Sequence, residues 1–405
     1  MTASVPHLPE PGDVVELTVG EVAHGGWCVA RTDSGGVVFV RHALPGERIS
    51  AVITQTTSRF ARADAAQILD ASADRVPPPC PYARPGGCGG CDWQHAAGPA
   101  QRALKAAVVG QQLRRIAGIE REVTVEPMPG DETGLGWRTR VKFAVGRGGV
   151  AGLRRHRSHE VTKISDCLIA HPLIETAAVT GRRWPGAAAV EVAVAPGSGQ
   201  RALIVSGRRA AERGPAHLRQ RAAGRDWRVS ATGFWQVHPA AADTLAAAVL
   251  DALRPRPGDV ALDLYCGAGL FAGVLAGAVG PSGAVIGIEA DTAAVRDARH
   301  NLRGTPWARV YRGDAAALLE RNGLSQATMA VVDPPRTGLA REVVDLLSGP
   351  ARVSRIAYVS CDPATLARDM AALAPSGWTL EALRAFDAFP MTHHVECLAT
   401  LSRGR

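Results

Sequence analysis

Apolar and polar positions alternate along residues 13–70. Val15, Leu17 and Val19 face one way and Glu16, Thr18 and Gly20 the other, the period of a half-buried strand. Gly35-Gly36 precede an apolar run at 37–40, Pro45-Gly46 make a turn before Ile49, Ala51 and Ile53, and 63–69 offers a closing strand. Five short strands in so little chain predict an OB-like barrel, a shape often used on nucleic acid. A barrel that only packs on its neighbour is the alternative. From Val260 the pattern becomes strand, helix, strand, helix, which predicts a parallel sheet with helices on both faces, a Rossmann-like α/β architecture. The expected strands are 260–264, 284–288, one ending near Gly313-Asp314, 329–332 and one ending at Cys361, with a terminal hairpin over 379–386 and 394–401. Asp263, Glu289, Asp314, Asp333 and Cys361 then fall at the carboxyl ends of strands, which gathers them along one crevice.

The segment between these regions is less regular. Residues 75–79 read as a proline-rich linker. A helix is expected over 101–117, with Val109, Leu113 and Ile116 on one face and Gly118 as its stop. It is expected to pack on the last domain. Residues 137–145 alternate, with Arg138, Arg140 and Lys142 sharing a face, and a second basic cluster runs from Arg154 to Arg157 beyond a turn at Gly148-Gly149. Such a hairpin suits phosphates, or is an ordinary solvated face. Residues 176–228 carry little readable signal. A long Ala/Leu helix over 240–253 precedes the sheet. The expected organisation is therefore 1–72 barrel, 73–230 central domain and 231–405 catalytic domain.

Length and composition narrow the class. The 405 residues are 46% hydrophobic and 21% charged, an ordinary globular balance for two or three domains. No apolar run approaches the ~20 residues of a membrane span. Met1 to Asp13 lacks a basic stretch followed by an apolar one, so no secretion leader is read and a cytoplasmic place is expected. The net charge of +8 favours a polyanionic partner. Eight cysteines in a chain of this kind point to metal binding or catalysis more than to disulfides. Seven residues separate Cys80 from Cys88 and two separate Cys88 from Cys91. With Cys167 they make a tetrathiolate set that fits zinc or an iron–sulfur cluster. Cys28, Cys266 and Cys397 read as packing residues.

The candidate chemistry sits at strand ends. Residues 356–359 run into Ser360-Cys361-Asp362, and Pro363 opens a helix, where its missing N–H costs nothing. A thiol at a helix N-terminus is expected to have a lowered pKa and to be nucleophilic. Gly267 and Gly269 follow the first strand of the sheet, with Glu289 placed for ribose hydroxyls. Asp263 ahead of that loop suits a cationic methionine better than a pyrophosphate, which favours S-adenosylmethionine over a dinucleotide.

Three phrases make the pattern specific: Asp333-Pro334-Pro335-Arg336, Ser360-Cys361-Asp362-Pro363, and Phe389-Pro390 with Thr392, His394 and Glu396. Together they resemble the RNA uracil-C5 methyltransferase family, and the likeness covers nearly the whole chain. Leu44-Pro45-Gly46-Glu47 before an apolar strand resembles the family's TRAM barrel. The glycine-flanked Cys88 and Cys91 resemble its 4Fe–4S site, although the first spacing is longer here. One tRNA branch of the family lacks both barrel and cysteine site, so the resemblance points to 23S ribosomal RNA. It implies a class I methyltransferase domain, S-adenosylmethionine as donor and a 4Fe–4S cluster on Cys80, Cys88, Cys91 and Cys167, with zinc as the alternative. It implies Cys361 as nucleophile at carbon 6 of uracil and Glu396 as the base that removes the carbon 5 proton. It also implies a cofactor pocket of Phe234, Gln236, Asp263, Tyr265, Gly267, Gly269, Glu289, Asp314 and Asp333. His238 stands where the family carries Asn. An unstacked uridine in RNA is the expected partner, and a monomer the expected state. A tRNA target, a cytosine-5 methyltransferase and a non-catalytic RNA-binding protein are the alternatives.

Overall fold

The computed structural model describes residues 8–208, 210–322, 326–349 and 352–404. The reading of Met1 to Asp13 as lacking a leader rests in part on residues 1–7, which lie outside the described ones. Strands β1 (Val14–Ala23), β2 (Trp27–Arg31), β3 (Val37–Arg41), β4 (Arg48–Thr56) and β5 (Ala61–Asp70) close a barrel in the order β1-β2-β3-β5-β4. Its alternating residues Leu17, Val19, Val38, Val40, Ile49, Ala51 and Ile53 fill the interior. The turn before β4 is stapled by Glu47, a fully buried carboxylate that accepts from the Leu44 amide at 2.7 Å and pairs with Arg75 at 2.5 Å.

Helix α1 (Gly98–Gln112) packs against the barrel and the catalytic sheet. The expected helix to residue 117 does not continue regularly. Residues Leu113–Ala117 form a wide π-type turn ended by left-handed Gly118. Val109 and Leu113 are buried as expected, but the wider turn carries Ile116 round to solvent.

Short β6 (Val125–Glu126) joins the catalytic sheet; β7 (Arg140–Val145), β8 (Ala151–Arg154) and β9 (Val161–Thr162) follow. After α2 (Thr176–Thr180) come β10 (Ala187–Ala195), β11 (Gln200–Gly207), β12 (Ala211–Arg213), β13 (His217–Ala222) and β14 (Arg225–Ser230). The region that carried little signal thus holds one side, β12-β11-β10, of the six-stranded antiparallel sheet β12-β11-β10-β7-β8-β9, and most of a separate β13-β14 hairpin. Strand β10 is apolar on both faces, because Val190, Val192 and Val194 fill one core and Ala193 and Ala195 another. Alternation is therefore lost in its sequence.

The C-terminal region opens with α3 (Ala241–Leu253) and then alternates: β15 (Val260–Leu264), α4 (Leu270–Val279), β16 (Ala284–Glu289), α5 (Thr292–Asn301), β17 (Ala308–Arg312), α6 (Ala315–Asn322), β18 (Met329–Val332), α7 (Arg341–Ser348), β19 (Arg355–Ser360) and α8 (Pro363–Leu373). The hairpin β20 (Trp378–Phe386) and β21 (Glu396–Arg403) completes it. The sheet order is β17-β16-β15-β18-β19-β21-β20-β6, parallel from β17 to β19 and antiparallel at β21. The strand order reverses between β15 and β18, and a ligand crevice is expected above that point. Among the described residues no helix is long and apolar enough to cross a membrane.

Candidate active site

A single cavity of about 1070 Å³ lies above the carboxyl ends of β15, β16, β18 and β19. Phe234, Gln236, Tyr265, Gly267, Glu289, Asp333, Cys361 and Glu396 all line it. The loop after β15 is shaped by backbone strain. Tyr265 takes a left-handed φ of 65°, costly for a non-glycine residue, and Gly267 and Gly269 follow with φ of 53° and 90°. Glu289 holds this loop, since its carboxylate accepts from the Gly267 amide at 2.9 Å and the Asp291 amide at 2.8 Å. Gly269 begins α4, and a side chain there would press on Ala298 at 3.2 Å.

Three expected cofactor residues do not line the cavity. Gly269 is turned toward α5. Asp314 caps α6, accepting from the Ala316 amide at 2.9 Å and the Ala317 amide at 3.2 Å. Asp263 lies fully buried beneath the loop. One of its oxygens accepts from the Ala272 amide at 2.6 Å, and the other has no hydrogen-bond partner. Burial, with Asp333 and Glu289 nearby, pushes this carboxyl up to about 8. Asp263 therefore lies beneath the loop and outside the cavity lining, not at the surface where a direct contact with a cationic methionine was expected.

At the other end of the cavity, β19 and β21 pair antiparallel with Ser360 opposite Cys397. Cys361 and Glu396 are the next residues out in that register. Glu396 is buried, and burial together with Asp333 raises its pKa well above the carboxylate range, Arg336 opposing. Burial alone pushes Asp333 up to about 7. The thiol of Cys361 is also raised, to about 11, by burial and by Glu396, against an opposing pull from Arg336. The expectation of a thiol activated by the helix end is thus overturned for the free protein. The amides that would do it are occupied: Asp362 caps α8, accepting from Ala364 at 2.9 Å and Thr365 at 3.0 Å. Arg336 is the cation in this group. Its place directly after Asp333-Pro334-Pro335 was visible, but no periodicity or spacing signals its approach to Cys361 and Glu396.

The loop before β21 is clamped from outside. Met391, left-handed with φ 65°, has its carbonyl taken by the Asp92 and Trp93 amides at 2.9 and 3.1 Å. Gln101 accepts from the Met391 amide at 2.8 Å. Asp92 bonds the His393 ring at 2.7 Å and pairs with Arg41 of the barrel at 3.4 Å. Burial opposes its charge, but His393 and Arg41 prevail and push it down to about 2. Lys105 of α1, fully buried, pairs with Asp387 at 2.5 Å and donates to the Phe389 carbonyl at 3.0 Å. His238 does not face an open contact: its Nδ1 accepts from the Ala240 amide at 3.2 Å and its Nε2 lies 3.2 Å from Asp131.

Cys80, Cys88, Cys91 and Cys167 line one small cavity of about 50 Å³. They come from the loop after the linker and the loop after β9. Burial raises Cys88, raises Cys91 strongly and pushes Cys167 up to about 11, with neighbouring thiols adding to each shift. N–H groups aim at the sulfurs: Gly90 to Cys88 at 3.3 Å and Gln94 to Cys91 at 3.2 Å. Among the described residues the side chains do not converge tightly enough to form a metal-ready group. The packing cysteines behave as expected, with Cys28, Cys266 and Cys397 all buried.

The basic hairpin is corrected in part. Arg140 is committed internally, to Glu191 at 2.5 Å and to the carbonyls of Ala231 and Gly233 at 2.9 and 2.7 Å. Arg138 lines the large cavity and Lys142 is exposed.

Comparison with known proteins agrees with this architecture. Residues 323–404 match the tRNA (Uracil-5-)-methyltransferase family model, and residues 10–66 match the TRAM domain. Residues 232–315 match the protein-L-isoaspartate(D-aspartate) O-methyltransferase model, across the strand–helix units from α3 to β17. An uncharacterized RNA methyltransferase of Streptomyces avermitilis is 49% identical over 96% of this chain and 98% of its own length. One of Streptomyces coelicolor is 49% identical over 96% of this chain and 93% of its own. The crystal structure of Pyrococcus abyssi tRNA (uracil-54, C5)-methyltransferase in complex with S-adenosyl-L-homocysteine superposes with a TM-score of 0.71. It covers 95% of this chain and all of the other at 21% identity, which shows a shared fold. The chain belongs to the RNA uracil-5-methyltransferase family and is an S-adenosylmethionine-dependent RNA methyltransferase with an N-terminal TRAM barrel.

Proposed function

We propose that this enzyme methylates carbon 5 of a specific uridine in RNA, with 23S ribosomal RNA as the target, through a covalent adduct on Cys361. The meeting of Cys361 and Glu396 across β19 and β21, in the cavity that also holds the Gly267 loop, carries this reading. Carbon 5 of uracil is too weak a nucleophile to take a methyl group unaided. Cys361 gives its thiol proton to solvent, its sulfur adds to carbon 6, and the electron pair of the carbon 5–carbon 6 double bond passes to the carbonyl at carbon 4. The enolate's carbon 5 then displaces the sulfonium methyl, leaving S-adenosylhomocysteine. Glu396 takes the carbon 5 proton, the carbon 5–carbon 6 double bond returns and Cys361 departs.

The charges fit this order. In the free site burial disfavours the ionised forms of Cys361 and Glu396. Arg336, and the positive sulfonium when bound, favour the ionised forms of Cys361, Asp333 and Glu396. Phe234, Gln236, Tyr265, Gly267 and Glu289 are the residues proposed to hold the donor, Glu289 receiving its ribose hydroxyls. Asp333 is proposed to accept from a base N–H, on a loop stiffened by Pro334 and Pro335.

The four-cysteine cavity is proposed to hold a 4Fe–4S cluster. Four free thiols in one cavity, with N–H groups aimed at sulfur, suit thiolate ligation. The cluster supplies no step of the transfer. Cys80, Cys88, Cys91 and Cys167 would hold it and so fix the loop whose next residues, Asp92 and Trp93, bond Met391 and His393.

The target is tested by incubating the enzyme and methyl-labelled donor with 23S ribosomal RNA and tRNA transcripts. The mechanism is tested with Glu396→Gln, which keeps the shape and removes the base. It is expected to accumulate a methylated RNA–protein adduct that survives denaturation and is lost when Cys361→Ala is added. Turnover of Glu396→Gln near the wild-type rate without an adduct would reassign the base.

A further inference from the structure

A second pocket, of about 470 Å³, opens behind the cofactor end of the main cavity, between the β13–β14 hairpin and the C-terminal end of α5. Arg219, Arg225, Arg228 and Arg303 line it with His217 and His300. The carboxylates available to them are few. Asp226 lies on the rim, 4.0 Å from both Arg219 and Arg221. Asp297 lies beneath, 1% exposed, 3.4 Å from Arg228. Arg225 is spent on the Asn301 carbonyl and on the face of Trp227.

The other guanidiniums are partnered in an unusual way. Arg228 donates to His217 Nε2 at 2.6 Å and to His300 Nδ1 at 3.3 Å. Arg303 donates to His300 Nδ1 at 3.1 Å. A guanidinium has no acceptor and does not lose its proton, so each imidazole nitrogen here is an unprotonated acceptor. The four arginines that line the pocket face two carboxylates, Asp226 and Asp297. The pocket therefore keeps an excess of positive charge, pre-aligned by donors already in place. The Nε of Arg228 faces the buried Asp297 Oδ1 at 3.4 Å, so Asp297 offsets one of these charges, and Arg219 and Arg303 reach out to solvent beside it.

We propose that this pocket binds a backbone phosphate of the substrate RNA, outside the nucleotide that enters the main cavity. The proposal rests on RNA as the substrate and adds where its flanking chain runs. Asp297 is shared: it lines the main cavity and pairs with Arg228 on the other side. The two sites are thus adjacent, separated by one buried side chain of α5. A phosphodiester is the ligand of choice because it offers acceptors and charge in the fork geometry that arginine matches.

The test measures binding of a 23S ribosomal RNA transcript over a range of salt for wild type, Arg303→Gln, Arg219→Gln and Arg341→Gln. Arg303 and Arg219 are exposed and hold no backbone, so unaltered melting and S-adenosylhomocysteine affinity report an intact fold. Arg341, 90% exposed on α7, is the control for general charge loss. Arg303→Gln is expected to weaken RNA binding several-fold and to reduce the slope of log affinity against log salt by about 0.7–0.9. Arg219→Gln should act in the same direction, and Arg341→Gln should not. Unchanged affinity and slope in Arg303→Gln, or an equal loss in Arg341→Gln, overturns the proposal. Methylation is read in the same samples. If wild type methylates the transcript while Arg303→Gln binds as wild type, the pocket assignment fails and uridine methylation stands. If Arg303→Gln lowers the slope but the transcript is never methylated, the pocket stands and the target is wrong.

Discussion

Cys361 stands opposite Glu396, one step beyond the Ser360–Cys397 pair that ends the β19–β21 ladder. Helix α8 and the β20–β21 hairpin loop separate the two groups in sequence, yet the register sets them side by side across the sheet. Burial and Glu396 push the Cys361 thiol up, while burial and Asp333 raise Glu396.

Iodoacetamide labelling of Cys361, followed by peptide mass, should therefore be slow at neutral pH and rise steeply with pH, toward a midpoint near the value of about 11 reached by burial and Glu396. Only the thiolate reacts, so the rate follows its fraction. Glu396→Gln should move the midpoint down and Arg336→Gln should move it up. An ordinary thiol profile in wild type, or no movement in Glu396→Gln, would contradict the coupling.

The buried pair Lys105–Asp387 joins α1 to the segment after β20. Lys105→Ala leaves a buried carboxylate without its cation and should cost about 3–5 kcal/mol in chemical denaturation. Lys105→Met with Asp387→Asn removes both charges and should recover much of that loss. Equal destabilisation in the single and double variants would mean that packing, not charge, holds this contact.

Cys167→Ala should lose iron from anaerobically purified protein and lower its melting temperature, because metal binding is coupled to folding. Activity should fall with it, through the Asp92 and Trp93 grip on Met391. Stoichiometric zinc without iron in the wild type would replace the cluster by a zinc site.

Arg140 and Lys142 should separate cleanly. Arg140→Gln breaks the tie to the Ala231 and Gly233 carbonyls just ahead of Phe234, and it should lower stability and donor affinity. Lys142→Gln should change only the salt dependence of RNA binding, since its side chain is exposed. Loss of donor affinity in Lys142→Gln would reverse this assignment.

By itself the sequence determined the elements that carry a period. Strands alternating in the barrel, near-continuous apolar runs in the parallel sheet and the Pro363 helix start were all legible, because burial on one or both faces leaves a mark at fixed spacing. The motifs placed Cys361, Asp333 and Glu396 at strand ends, and the topology rule gathered them. Only the tertiary structure decided what those neighbours do to one another. Asp263 is buried under its loop, Asp314 and Asp362 serve as helix caps, and Arg140 turns inward to two carbonyls. The arginine–histidine pocket joins β13 and β14 to α5, and the Asp92–His393 bond spans most of the chain. Such contacts depend on dehydration and on distances between segments remote in sequence, and neither leaves a periodic trace along the chain.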